Sequence, residues 1–87
     1  MANYKICIKP SAAKELKKIP KTVLQKVVGK IKGLAFDPRP PGCEKLSSEE
    51  RFRIRQGDYR IIYTIEDEKL IVIVVKIGHR KDVYKKK

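Results

Sequence analysis

The chain has 87 residues, of which 22 are Lys or Arg and 10 are Asp or Glu, giving a formal net charge of +12 at pH 7. We expect one domain, residues 1–87, with a small core, because a chain this short buries only about 60% of its unfolded surface. No run reaches about 18 apolar residues and no apolar signal segment follows the Met, so we expect a cytoplasmic protein with no membrane partner. The charge favours a polyanionic partner, either a nucleic acid or an acidic protein, over a merely soluble basic protein.

Metal and nucleotide-triphosphate chemistry are not expected from this sequence. Cys7 and Cys43 do not have the spacing of a metal site, and we interpret them as unpaired thiols in a reducing compartment. There is one histidine, and there is no Gly-rich phosphate loop. The sequence therefore predicts neither a metal nor another cofactor.

The first half of the chain predicts one strand and two helices. Residues 4–9 alternate between two faces, which is typical of a strand, and Pro10 ends it. Ser11 is a plausible N-cap for a short helix, and Pro20 can open a second helix that ends at "DPRPPG", residues 37–42. The predicted apolar stripes are Ala12, Leu16 and Ile19 in the first helix, and Val23, Leu24, Val27, Val28, Ile31 and Leu34 in the second.

Lysines dominate the outward faces of both predicted helices, where Glu15 alone opposes them. A charged face is usually just solvated, but a stripe this long can also lie along phosphates. We predict that the first six of these lysines bind RNA. The stripe consists of Lys14, Lys17, Lys18, Lys21, Lys26, Lys30 and Lys32.

Three strands follow a proline-rich loop. Residues 51–55 and 59–65 alternate between apolar and polar positions around a tight turn at "GD", and residues 70–77 are apolar at nearly every position. The last of these should be the central strand, since both of its faces are apolar. The predicted fold is α+β, with the order β-α-α-β-β-β and two N-terminal helices packed on one face of a four-stranded, mostly antiparallel sheet.

A two-residue turn at Gly57–Asp58 places three arginines together. Apolar residues then face apolar ones, whereas a one-residue slip would lose this match. The other face gathers Arg53, Arg55 and Arg60, and like charges directly opposite each other destabilise a sheet. An anion between Arg55 and Arg60 would relieve the conflict, unless both side chains splay into water. The predicted pairs are Gln56 with Tyr59, Arg55 with Arg60, Ile54 with Ile61, and Phe52 with Tyr63.

A second two-residue turn, at Asp67–Glu68, would pair Arg60 with Val75. The segment from Gly78 to Tyr84 would then emerge at the arginine end of the sheet. The acids of the second turn would lie about 20 Å away, at about 3.3 Å per residue.

This cluster has the chemistry needed to cut RNA through attack by a ribose 2′-hydroxyl. The guanidinium groups of Arg53, Arg55, Arg60 and Arg80 can hold the phosphate and its developing charge. His79 can transfer a proton, because histidine is the side chain that does so near neutral pH. Tyr84, after which only lysines remain, can stack on a base or transfer a proton. Taken singly, His79 could be a surface residue and Tyr84 a packing aromatic.

The sequence also resembles a known family. The segment "FRIRQGDYRIIYTIEDEKLIVIVVKIGHRKDVYKK" and the N-terminal "KPSAAKELKKIP" resemble the RelE/ParE toxin superfamily, the toxins of type II toxin–antitoxin pairs. The resemblance implies two helices on a sheet, and an endoribonuclease that cuts messenger RNA in the ribosomal A site without a metal. It also implies an acidic, RelB-like antitoxin that wraps the toxin.

The resemblance implies roles for individual residues as well. Arg53 and Arg55 match the catalytic strand, where the best-known RelE subgroup has lysines, so His79 or Tyr84 becomes the favoured proton acceptor. Arg60 in "YR" and Arg80 in "GHR" match arginines that hold phosphate. Two other functions stay open: a ParE-like toxin that inhibits DNA gyrase without cleaving anything, and a non-catalytic RNA-binding protein.

Overall fold

The computed structural model describes residues 3–46 and 50–79, which form two helices and a five-stranded sheet. The sheet order is β1-β5-β4-β3-β2; β1 runs parallel to β5 and the other neighbours are antiparallel. The predicted α+β fold is confirmed, with one more strand than expected, because a two-residue strand has no period to read. The elements are β1 (Lys5–Ile8), α1 (Pro10–Lys17), α2 (Lys21–Gly33), β2 (Glu44–Lys45), β3 (Arg51–Gln56), β4 (Tyr59–Glu66) and β5 (Ile71–His79).

Prolines define the starts of both helices. α1 begins at Pro10, with Lys9 rather than Ser11 in the N-cap position, because a first-turn proline sacrifices no intrahelical hydrogen bond. Pro20 takes the N-cap position of α2, so the helix starts one residue later. In the described part of the chain no helix is long and apolar enough to cross a membrane.

The helices cover one face of the sheet and bury a core there. Each large aliphatic side chain so buried contributes roughly 1.5–3 kcal/mol relative to an exposed one. The other face of the sheet therefore carries the polar positions of β3 and β4. The core consists of Ala12, Ile19, Val27, Ile31 and Leu34 from the helical half, and of Phe52, Ile54, Ile61, Tyr63, Val72, Val74 and Ile77 from the sheet.

The predicted register of β3 with β4 is confirmed. Gln56 pairs with Tyr59, Arg55 with Arg60, Ile54 with Ile61, and Phe52 with Tyr63. Gly57 has a φ of 61°, which is the left-handed conformation that a two-residue hairpin turn requires.

The predicted register of β4 with β5 is wrong by two residues next to the turn and by three residues at Arg60. Glu66 pairs with Ile71, so the turn holds four residues instead of two, and Leu70 closes it with a φ of 54°. A β-bulge then adds Val75 between the partners of Ile62 and Tyr63. Arg60 consequently pairs with Gly78 rather than with Val75, and β5 extends through His79.

Hydrogen bonds connect the proline-rich loop to strand β4 and to the β4–β5 turn. Tyr63 donates a buried hydrogen bond of 2.7 Å to the carbonyl of Pro38, and burial raises the pKa of its hydroxyl. Arg39 donates two hydrogen bonds to Asp67, of 3.3 and 2.9 Å, and Tyr4 donates one of 2.7 Å to the same carboxylate. These contacts join the loop, β1 and the β4–β5 turn at the end of the sheet remote from Gly57.

Candidate active site

Three arginines share the sheet face that points away from the helices, and we call them the arginine platform: Arg53, Arg55 and Arg60. Arg55 lies directly opposite Arg60, and Arg53 lies opposite Ile62. Since directly paired residues project to the same side of a sheet, the predicted gathering of guanidinium groups is present. Arg55 is exposed, whereas Arg60 is only 8% exposed.

Burial of Arg60 carries a free-energy cost that its surroundings must offset. A charge taken out of water destabilises a fold unless it is hydrogen-bonded or paired. In the part of the chain that the structure describes, no buried side-chain nitrogen or oxygen lacks a hydrogen-bond partner. The fold therefore holds Arg60 in a satisfied environment on the platform.

Glu44 is a member of the site that the sequence did not reveal. It lies in β2 directly opposite Arg53 and forms an ion pair with the Arg53 guanidinium. This hydrogen bond and the charge of Arg53 lower the pKa of the Glu44 carboxyl, with smaller contributions from Arg55 and Arg60. The prediction of distant acids concerned only the β4–β5 turn, and it did not extend to Glu44. A two-residue strand after a proline-rich loop has no periodicity that could have placed it.

His79 is at the predicted end of the sheet but on the other face. It pairs with Tyr59, and its ring meets the Tyr59 ring edge-on at 5.5 Å and 83°. Its Nε2 lies 3.9 Å from Oδ2 of Asp58 in the hairpin turn. The predicted register would have put His79 in phase with Arg60, and the shift by an odd number of residues reverses this. The arginine platform and the His79 imidazole thus both lie near the end of β5, on opposite faces of the sheet.

Two other predicted site residues, Arg80 and Tyr84, lie outside the described residues. The predicted RNA-binding lysines are all exposed and sit on α1, on α2 and in the short link between the helices. Lys18 lies 3.5 Å from Glu15, one turn earlier. RNA binding by these lysines stays a prediction.

The arrangement can bind an oxyanion with several forked donors. Guanidinium groups match phosphate oxygens in geometry and keep their charge at any physiological pH. Within residues 3–46 and 50–79, no three His, Cys, Asp or Glu side chains cluster as metal ligands would.

Comparison with known proteins identifies the family. The model of the ParE toxin of type II toxin–antitoxin systems matches residues 6–84. Toxin RelG of Mycobacterium tuberculosis is 33% identical over 86 residues, which cover 95% of this chain and 98% of RelG. The mRNA interferase toxin RelE of Escherichia coli K12 is 30% identical over 78 residues, covering 80% of this chain and 76% of RelE.

A solved structure agrees with this assignment. The toxin–antitoxin complex RelBE2 from Mycobacterium tuberculosis contains a chain that matches with a TM-score of 0.82 and 31% identity, covering 92% of this chain and 94% of that one. The resemblance found in the sequence is therefore confirmed, as is the RelE-like fold. This chain belongs to the ParE toxin family of type II toxin–antitoxin systems, and it is a RelE-like toxin.

Proposed function

We propose that this toxin is an endoribonuclease that inhibits translation by cutting messenger RNA in the ribosomal A site. The observation that supports this proposal most directly is the arginine platform, which places Arg55 opposite Arg60, with Arg53 two residues further along the same face of β3. A similar toxin, RelE of Escherichia coli, is named an mRNA interferase. The chain's surplus of twelve positive charges suits a substrate and a ribosomal surface made of RNA.

The reaction in this proposal needs no metal. The ribose 2′-hydroxyl attacks the adjacent phosphorus, the bond to the 5′-oxygen breaks, and a cyclic phosphate forms. Arg53, Arg55 and Arg60 bind the phosphate oxygens as negative charge builds up on them, with Arg80 as a further donor. The groups proposed for proton transfer are His79 and Tyr84.

Glu44 has a different part in this scheme. Its carboxylate is paired with Arg53 in the free toxin. This ion pair must break when a phosphate of the RNA binds the Arg53 guanidinium. Because the pKa of Glu44 is lowered, the group is a weak proton acceptor, and we assign it to control of the platform's charge.

We also propose that an acidic, RelB-like antitoxin neutralises this toxin. The solved relatives of this chain include a RelE–RelB complex from Pyrococcus horikoshii. A net charge of +12 favours such a partner because opposite charges speed encounter and select against other basic surfaces.

Primer extension on a translated message tests the proposed reaction. We expect the purified toxin to produce cuts between the second and third nucleotides of the A-site codon. Arg55→Ala should reduce the cleavage rate by about 100-fold or more, the effect of removing a donor from a developing oxyanion. Arg51→Ala is the matched control, because Arg51 lies on the same face of β3 but opposite Thr64, toward the far end of the strand. Equal rates for both variants would show that the platform is not the active site.

A second candidate function is inhibition of DNA gyrase without RNA cleavage, which the ParE description of the matching family model favours. Intact message together with trapped gyrase–DNA complexes would establish this alternative. Intact message with ribosome binding alone would instead indicate a non-catalytic RNA-binding protein.

A further inference from the structure

Lys76 is the single lysine in a strand that is otherwise apolar up to Gly78. It is exposed, whereas Val72, Val74 and Ile77 around it are at most 1% exposed. In a regular strand the core positions would continue from Val72 and Val74 to residue 76, because side chains alternate between the two faces. An ammonium group buried there without a partner would destabilise the fold. The fold must therefore turn Lys76 away from the helices.

The β-bulge in β5 turns Lys76 to the other face. Tyr63 pairs with Val74 and Ile62 with Lys76, so Val75 is the extra residue and the alternation shifts by one beyond it. The next core position consequently falls one residue later than in a regular strand. Bulges are over-represented beside active sites, where they redirect a side chain. The position of this bulge thus directs attention to the side chain that it redirects.

Lys76 shares a face of the sheet with the arginine platform. Ile62 is the cross-strand partner of Lys76 on one side and of Arg53 on the other. Since directly paired residues project to the same side, the ammonium and the guanidinium groups lie on one face. Arg60 pairs with Gly78, and Lys76 is its diagonal neighbour in β5, with about 7–8 Å between the Cα atoms. Because Gly78 has no side chain, Lys76 is the residue of β5 whose side chain is nearest to Arg60 on this face.

The charge of Lys76 is not neutralised by an internal acid. Arg53 forms an ion pair with Glu44, whereas within residues 3–46 and 50–79 no carboxylate forms one with Lys76. The ammonium is a compact charge with three donors on a long, flexible stem. It can therefore bind an anion at this face without first breaking an internal ion pair.

We propose that Lys76 is a further RNA-binding residue of this site and binds a phosphate next to the scissile one. This inference rests on the proposed nuclease function, in which Arg55 and Arg60 bind the scissile phosphate. Successive phosphates of a single strand are separated by one ribose, and the diagonal spacing of Arg60 and Lys76 suits two neighbouring phosphates. An ammonium holds a phosphate as a point charge without fixing its orientation, whereas the forked guanidinium suits the reacting group. Lys76 should thus contribute to affinity rather than to the rate of bond cleavage.

A short oligonucleotide tests this subsite without ribosome or cleavage. A trinucleotide with 2′-deoxy sugars has only two internucleotide phosphates and cannot be cut by attack of a 2′-hydroxyl. Its affinity is measured by NMR titration at low salt, with each phosphate replaced in turn by a neutral methylphosphonate. In the wild type, each replacement should weaken binding about two- to fivefold, as loss of an exposed ion pair does. Lys76→Met should be insensitive to one of the two replacements, and Arg55→Ala should be insensitive to the other.

Lys5→Met is the matched control for Lys76→Met. Lys5 is an exposed strand lysine on the same face of the sheet, but it lies opposite Ile71 at the far end of β5. This variant should keep the wild-type response to both replacements. Lys76→Arg should keep it as well, because the charge is retained, and Lys76→Met should unfold at the wild-type temperature, because methionine preserves the aliphatic stem. Equal losses in Lys76→Met and Lys5→Met would overturn the proposal, and so would coupling of Lys76→Met and Arg55→Ala to the same phosphate.

Cleavage of a translated message gives a second readout. Lys76→Met should raise KM about two- to fivefold and leave kcat within about twofold, the result of removing binding that is equal in the ground state and the transition state. A fall in kcat with an unchanged KM would contradict the assigned role.

The two proposals can fail separately. If the trinucleotide responses appear as described but no translated message is cut, the nuclease function is wrong and Lys76 stands as a nucleic-acid-binding residue. If the message is cut but Lys76→Met behaves as Lys5→Met does, the nuclease function stands and the role of Lys76 is wrong.

Discussion

At the scale of one residue, burial of the Arg60 guanidinium costs folding free energy, and this cost points to a function for the residue. A guanidinium that is 8% exposed, opposite another arginine, works against the stability of a chain with so small a core. The proposed function accounts for that arrangement through an anionic substrate, since a preorganised donor needs no rearrangement when charge develops. Glu44, which is paired with Arg53, and His79, which follows the cross-strand partner of Arg60, lead to two predictions at the same scale.

Glu44→Gln should strengthen RNA binding. Without the carboxylate, Arg53 is no longer held by an internal anion, and we expect the affinity for a single-stranded oligonucleotide with a 2′-deoxy linkage to rise about two- to fivefold. The pKa of Glu44 is lowered, so the difference from wild type should persist below the usual range of glutamate, about 4.3. Fluorescence anisotropy measures this, with Glu50→Gln as the control, because Glu50 contacts Lys45 at 3.8 Å rather than the platform. Weaker binding by Glu44→Gln would contradict the assigned role.

His79→Gln should reduce cleavage of a translated message at least about tenfold, because a residue that transfers a proton in the rate-limiting step contributes at least that much. Tyr59→Phe is the control, since it keeps the ring that packs against His79. An unchanged rate in His79→Gln would transfer the proton-transfer role to Tyr84.

At the scale of secondary-structure elements, one carboxylate connects three parts of the fold. Asp67 in the β4–β5 turn accepts hydrogen bonds from Arg39 of the proline-rich loop and from Tyr4 ahead of β1. The hydrogen bond from Arg39, and then that from Tyr4, lowers the pKa of Asp67. These contacts hold the four-residue turn, whose length together with the bulge at Val75 places Gly78 beside Arg60. The register of the site therefore depends in part on a contact at the opposite end of the sheet.

The stabilising effect of Asp67 should depend on pH. Since its pKa in the folded state is lowered, its ionised form stabilises the fold above the unfolded value of about 3.9. This contribution disappears as the pH falls through the folded-state pKa. We therefore expect Asp67→Asn to have a lower urea midpoint than wild type at pH 7, and the difference to vanish on acidification below about pH 4. Glu68→Gln, at the next exposed position, should show no such difference. A constant deficit at all pH values would mean that Asp67 acts through its shape rather than its charge.

At the scale of the whole molecule, the charge should govern ribosome association through the helices. Replacing Lys17, Lys21, Lys26 and Lys30 by Gln lowers the net charge by four from +12. Each lysine that contacts a phosphate should reduce the slope of log affinity against log salt by about 0.7 to 0.9. Replacing four lysines outside the helices, Lys5, Lys9, Lys45 and Lys69, is the control with the same net charge. If the two variants lose affinity equally, binding depends on total charge alone, and the helical stripe is not an RNA surface.

The local sequence pattern was sufficient to predict part of this protein's structure. Alternation in residues 51–65 and the tight turn at Gly57 determined the β3–β4 register, because a slip by one residue would expose Phe52 and Ile54. The arginine platform follows from that register, and the family follows from motifs within the same segment. These features depend on residues close together in sequence, whose pairing leaves few alternatives.

The register of β5, the place of Glu44 and the face of His79 depend on tertiary structure and could not be predicted from the local pattern. The strand β5 is apolar on both faces, so its pattern allows several registers, and the choice depends on a left-handed Leu70 and a bulge at Val75. Glu44 reaches Arg53 through a strand too short to have a period. The faces of His79 and Lys76 depend on the same register, because a shift by one residue reverses every side chain of a strand.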